Sequence, residues 1–232
     1  VRILAFAENQ RRPYVTQELA EGPDLEHLVR HGGVLEARQV LDLGIQLLAA
    51  LAVAHRPDTS GGVPLPHGAL RPSAVILGGD GKARLRGFGL RLVGGSQPVG
   101  SSQAFASPEA LSGQPLNLGT DLFSLAGILY FAALGGVPFV VHEGASGGEQ
   151  LAAVVRGLRS GAPLAEIDRV VPGLGTVFAR MLCLDPASRF RDVAEVEALF
   201  RELRGVAPPC DGLGQVVADR IGAQLSEEST LD

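Results

Sequence analysis

Twenty consecutive residues, Leu122 to Val141, carry no charged side chain. A run of that length either crosses a bilayer or is buried on every face inside a fold. Ser124, the Gly135-Gly136 pair and Pro138 punctuate it. Glycine ends helices by adopting a left-handed backbone that other residues avoid, and proline cannot continue one. The spacing therefore predicts a buried helix from about Asp121 to Leu134, and no membrane insertion is expected. With 46% hydrophobic residues over 232 positions, the chain has enough apolar material to surround such a helix. Gly and Pro number 31 and 15, about a fifth of the chain. The usual share is ~12%, so many turns and long loops are expected.

Upstream, Val1 to Phe6 and Tyr14 to Glu18 read as two short strands flanking a polar turn. Asp24 follows Gly22-Pro23 and can cap a short helix, Leu25 to Arg30. Val40, Leu43, Leu47, Leu51 and Ala54 recur at spacings of three and four, which places them on one face of a helix from about Leu35 to His55. Arg56 to Pro66 and Gly94 to Ser102 read as loops. Between them, Ala74 to Leu77 and Lys82 to Arg86 flank Gly78-Gly79-Asp80-Gly81, a hairpin signal. Further helices are expected near Gly148 to Leu158, Gly175 to Leu184 and Asp192 to Leu203. Residues 207–232 read as a linker or flexible tail, with a weak helix at Gly214 to Leu225.

The net charge is -5, which argues against a nucleic-acid groove with its clustered basic face. Of the 20 basic residues only Lys82 is a lysine, so chemistry that needs a lysine has one candidate. Its place in the hairpin predicts an exposed strand residue. Cys183 and Cys210 form neither a disulfide framework nor a metal-spaced cluster, and a reducing, cytoplasmic setting is expected. No leader peptide is read at the N-terminus.

The chemically informative segments come in order. His67-Gly68-Ala69-Leu70-Arg71-Pro72-Ser73-Ala74 precedes the hairpin, and Gly87-Phe88-Gly89-Leu90 follows it. Then come Ala106-Ser107-Pro108-Glu109, Asp121-Leu122-Phe123-Ser124, and Arg189 after Leu184-Asp185-Pro186. This order and spacing resemble the large C-terminal lobe of a bacterial-type Ser/Thr protein kinase, whose corresponding segments read H-R-D-L-K-P-x-N, D-F-G and A-P-E or S-P-E. Each motif alone is weak; five in sequence are specific. The resemblance covers about Val1 to Arg204. It implies an α+β, protein-kinase-like fold, mostly the helical C-terminal lobe. Residues 1–19 would be remnant N-lobe strands and hinge, and residues 20–206 the lobe itself.

The same resemblance marks departures. The catalytic Asp falls on Ala69, the following Lys on Arg71, the metal-binding Asn on Ala74 and the metal-binding Asp on Gly87. The Arg that pairs with a phosphorylated activation loop falls on Gly68. No counterpart of the glycine-rich loop or the strand Lys is present. These departures lead to the expectation of a pseudokinase, not an enzyme, that acts as a regulatory or scaffolding module for a protein partner. ATP and Mg²⁺ binding would be absent or weak, with no metal held. The alternative is a Ser/Thr kinase fragment with residual or atypical ATP-dependent phosphotransfer. The structural positions are kept: His67 packing on Phe88 beside Gly89, Glu109 paired with Arg189, and Asp121 either receiving the backbone of the catalytic loop or capping its helix. The uncovered N-lobe edge is expected to favour oligomerisation.

Overall fold

The computed structural model describes residues 1–9, 12–56, 65–88, 100–140 and 144–228. The chain opens with an antiparallel hairpin, β1 (Ile3–Asn9) and β2 (Arg12–Gln17), in register from Ala5 opposite Thr16 to Asn9 opposite Arg12, with a one-residue shift before Ile3 pairs with Gln17. Leu4 and Tyr14 remain exposed on it. Helix α1 (Leu25–Gly32) begins where the Asp24 carboxylate accepts the His27 N–H at 2.9 Å. Helix α2 (Ala37–Ala54) follows and buries Val40, Leu43, Leu47 and Leu51, the face read from the spacing.

A second hairpin, β3 (Val75–Leu77) and β4 (Ala83–Leu85), pairs Val75 with Leu85 and Leu77 with Ala83 around the glycine turn. Lys82 is exposed there. Gln46 ties this hairpin to α2, because Gln46 Nε2 donates to Gly81 O and Gln46 Oε1 accepts from Ala83 N.

The uncharged run becomes α4 (Leu118–Leu134), preceded by the one-turn helix α3 (Pro108–Leu111). Asn117 and Thr120 cap α4 reciprocally at 3.3 and 3.1 Å, and Gly135 ends it with φ 75°. The helix starts three residues earlier than the spacing predicts because Asn117, not Asp121, is its cap. Leu122, Leu125, Ala126, Ile128 and Leu129 are wholly buried, so α4 is the axis of the core. Among the described residues one helix, α2, is long and apolar enough to cross a membrane by length and composition, and half of it is buried inside the fold.

Helices α5 (Gly147–Ser160), α6 (Ala162–Val170), α7 (Leu174–Met181) and α8 (Val193–Val206) complete the lobe. α8 packs along α2 with Phe200 seated over Gly44, where a Cβ would lie 2.4 Å from the ring. α6 is absent from the sequence reading because Gly161 both ends α5 and opens α6.

The stretch 207–232, expected as a linker or flexible tail with a weak helix at Gly214 to Leu225, carries α9 (Leu213–Glu228). Leu213 and Val217 are buried against the lobe. Arg220 donates to the carbonyls of Leu28, Gly33 and Val34 at the end of α1. What the spacing does not give is the docking of this helix, because Arg220 meets carbonyls 186 to 192 positions away.

Candidate functional site

The segment from Leu65 to Ala74 crosses the lobe between α2 and β3, and Asp121 fixes it. Asp121 is fully buried in the first turn of α4. Its Oδ2 accepts from His67 N at 2.7 Å and from His55 Nε2 at 2.8 Å, and its Oδ1 accepts from Gly68 N at 2.8 Å. Three donors on one buried carboxylate meet the requirement that a buried charge be paired and hydrogen-bonded. Gly68 sits at φ 69°, a backbone turn that suits glycine.

His67 is 1% exposed. Arg86 O can only accept, so His67 Nε2 carries the hydrogen and donates to it at 3.0 Å; Nδ1 then accepts from Ala69 N at 3.4 Å. Burial pushes its pKa below the ordinary imidazole value, partly offset by the nearby Asp121 charge. The ring lies 4.5 Å from that of Phe88, tilted by 60°. With both nitrogens engaged and no solvent access, His67 is a packing residue rather than a proton acceptor.

Ala69 and Ala74 lie on the same segment, and Gly87 lies just beyond β4 at φ 93°. Arg71 Nε donates to Ser73 Oγ at 3.0 Å. Arg86 Nε and Nη2 donate to Ser73 O at 3.0 and 2.7 Å, and its guanidinium stands 3.8 Å from the Asp24 carboxylate. Two guanidinium groups thus converge on Ser73. Mg²⁺ requires oxygen ligands in octahedral array. Ala69, Ala74 and Gly87 have no oxygen on their side chains, and among the described residues no group of three His, Cys, Asp or Glu side chains could hold a metal. The residues present do not fit the ion. Gly89 lies outside the described residues.

Glu109, in α3, and Arg189 form a buried pair. Arg189 Nη1 and Nη2 reach Glu109 Oε1 and Oε2 at 2.6 and 3.0 Å. Arg189 also donates to the carbonyls of Cys183, Gly119 and Leu184. Thr120 Oγ1 donates to Glu109 Oε1 at 2.9 Å. Burial opposes the charge on Glu109, but its hydrogen bonds and ion pair with Arg189 outweigh this and hold the carboxyl below the usual range.

Sequence reasoning did not single out His55, Arg86 or Thr120. His55 ends α2 and joins Asp121 only after the chain folds back. Thr120 falls one residue before the helix start that the spacing predicts, so no local pattern marked it. Arg86 stands immediately before Gly87, and its basic side chain was the one signal available.

A family model for the protein kinase domain matches residues 1–198. This chain belongs to the protein kinase family. It is similar to the serine/threonine-protein kinase PknL of Mycobacterium tuberculosis, at 27% identity over 215 residues, 88% of this chain and 51% of that one. It is also 27% identical to PknK of the same organism over 198 residues, 83% of this chain and 17% of that one. The chain therefore spans between a sixth and about half of these relatives' lengths. Among solved structures, Rad53 in complex with AMP-PNP superposes with a TM-score of 0.65 at 21% identity, covering 84% of this chain and 48% of that one. The Mycobacterium tuberculosis PknI kinase domain gives 0.62 at 22%, covering 87% and 69%. The kinase-like, mostly helical α+β fold follows.

The expectation that this kinase-family chain is not an enzyme is corrected here. The relatives it matches are named serine/threonine protein kinases, and the family match takes in the whole site. Side chains replaced at four positions identify which groups are absent; they do not establish inactivity.

Proposed function

We propose that the chain forms the helical lobe of a serine/threonine protein kinase and takes part in ATP-dependent phosphotransfer through an atypical set of residues. The observation that carries this reading is the loop anchored on Asp121, which holds His67 and Gly68 in place and so fixes the segment bearing Arg71. Phosphoryl transfer needs little covalent help from the protein; positioning and electrostatic stabilisation supply most of the rate. In this reading Arg71 stabilises charge on the transferring group. The acceptor hydroxyl attacks the terminal phosphorus, the bond to ADP breaks, and the hydroxyl proton passes to water because position 69 carries no base. The names of the similar PknL and PknK support a Ser or Thr acceptor.

A general base contributes about 10²–10⁴-fold, so transfer should be slow by the standards of the family. Incubation with ATP labelled on its terminal phosphate and a Ser/Thr acceptor protein should give slow transfer that Arg71→Ala abolishes and Ala69→Asp raises. No transfer above a heat-killed control in either the natural or the Ala69→Asp chain would overturn the reading.

A further inference from the structure

The misfit between these residues and a divalent cation has a positive counterpart. The Arg71 and Arg86 guanidinium groups are both held on Ser73, one on its hydroxyl and the other on its carbonyl. The two groups carry like charges, and an anion between them would attract both. Asp24 is the one carboxylate within 4 Å of either guanidinium group among the described residues. It stands 3.8 Å from Arg86, and its other oxygen accepts from His27 N. Neither the two terminal nitrogens of Arg71 nor Nη1 of Arg86 has a hydrogen-bond partner among the described residues. Only Arg86 comes within 4 Å of the Asp24 carboxylate, so Arg71 has no carboxylate partner among the described residues, and burial, with a smaller contribution from the Arg71 charge, lowers the His67 pKa. Arginine forks match phosphate oxygens in pairs.

We propose that Arg71 and Arg86 bind the phosphate chain of a nucleoside triphosphate directly, without a divalent cation. The nucleoside part of this assignment rests on the kinase reading; the phosphate part rests on the two arginines. The cation that usually neutralises a triphosphate would add repulsion at a site already carrying two positive groups. Metal-bound triphosphate should therefore bind no better than the free anion.

The test is calorimetric titration of the full chain with ATP, inorganic tripolyphosphate and adenosine, each in EDTA and in excess Mg²⁺. ATP and tripolyphosphate should both bind in EDTA, with an affinity that Mg²⁺ leaves unchanged or weakens and that rising salt lowers. Adenosine should bind about tenfold more weakly or worse, since it lacks the charge-assisted contacts. Joint replacement, Arg71→Ala with Arg86→Ala, should cost about tenfold or more in tripolyphosphate affinity. Circular dichroism checks that the variant folds, and Arg71→Lys with Arg86→Lys, which keeps charge but loses the fork, should fall between the two. Binding that requires Mg²⁺, tripolyphosphate affinity unchanged by the alanine pair, or ATP affinity matched by adenosine would each overturn the proposal. The transfer assay stands apart. A chain that binds tripolyphosphate without metal but transfers nothing keeps this site and loses the kinase reading, whereas transfer with strictly Mg²⁺-dependent binding does the reverse.

Discussion

At the level of single residues, Arg189 and Glu109 show how a charge survives in the core. All the donors of the Arg189 guanidinium find acceptors, two on Glu109 and three on backbone carbonyls. Removing either side chain leaves the other charged and buried, which costs about 3–5 kcal/mol. Urea unfolding of Glu109→Ala, Arg189→Ala and the double variant should show losses of that order. The double variant should fall short of the sum by more than about 0.5 kcal/mol, and additivity would mean that the pair does not act as one. The same pair sets an acid limit. Because the folded Glu109 pKa is lowered, its contribution is complete above the unfolded value and is lost as pH falls through the folded one. The lowered pKa of the base His67 has the same sign, since the unfolded chain takes up its proton first, and this begins below the ordinary imidazole value near 6.5. Thermal stability should therefore start to decline just under that pH and fall more steeply from about pH 5 downward. A melting temperature that is flat from pH 7 to pH 4 would contradict both assignments.

Among the elements, α9 and α2 make the sharpest claims. α9 buries Leu213 and Val217, and Arg220 closes the C-terminal end of α1. Full burial of a Leu or Val side chain is worth about 1.5–3 kcal/mol. Ending the chain at Ala207 should lower stability by at least that much, and Arg220→Ala alone by about 1 kcal/mol. A free tail would show neither loss in a urea titration. In α2, Gly44 admits Phe200 so closely that any larger side chain must displace the ring or shift α8. Gly44→Ala should destabilise by about 1–3 kcal/mol although alanine is the better helix former. A gain in stability would show that the α2 and α8 contact is looser than its geometry.

Across the whole molecule, stability is unevenly distributed. α4 lies at the centre of one continuous apolar cluster. β1 and β2 form a two-stranded hairpin that leaves Leu4 at 57% and Tyr14 at 47% exposure. A two-stranded hairpin is marginal by itself. Native-state hydrogen exchange should find the β1 and β2 amides opening first, while the α4 amides exchange only on global unfolding. Protection of the hairpin equal to that of α4 would show that both unfold as one unit.

What the sequence determined by itself was whatever depends on neighbours along the chain. An uncharged run punctuated by Gly135 and Gly136 had to become a buried helix, a heptad-like spacing had to turn Val40, Leu43 and Leu47 inward, and four glycine-rich residues had to reverse the chain between β3 and β4. The ordered motifs, read as a resemblance, also placed Glu109, Asp121 and Arg189 in a kinase-like lobe. Tertiary structure decided what depends on residues far apart. His55 reaches Asp121 across 66 positions, Arg220 reaches Gly33 across 187, and Arg86 meets Ser73 only because β4 returns beside the loop. No local pattern encodes such meetings, because burial and charge pairing are settled by the packing of whole elements rather than by the order of side chains within one.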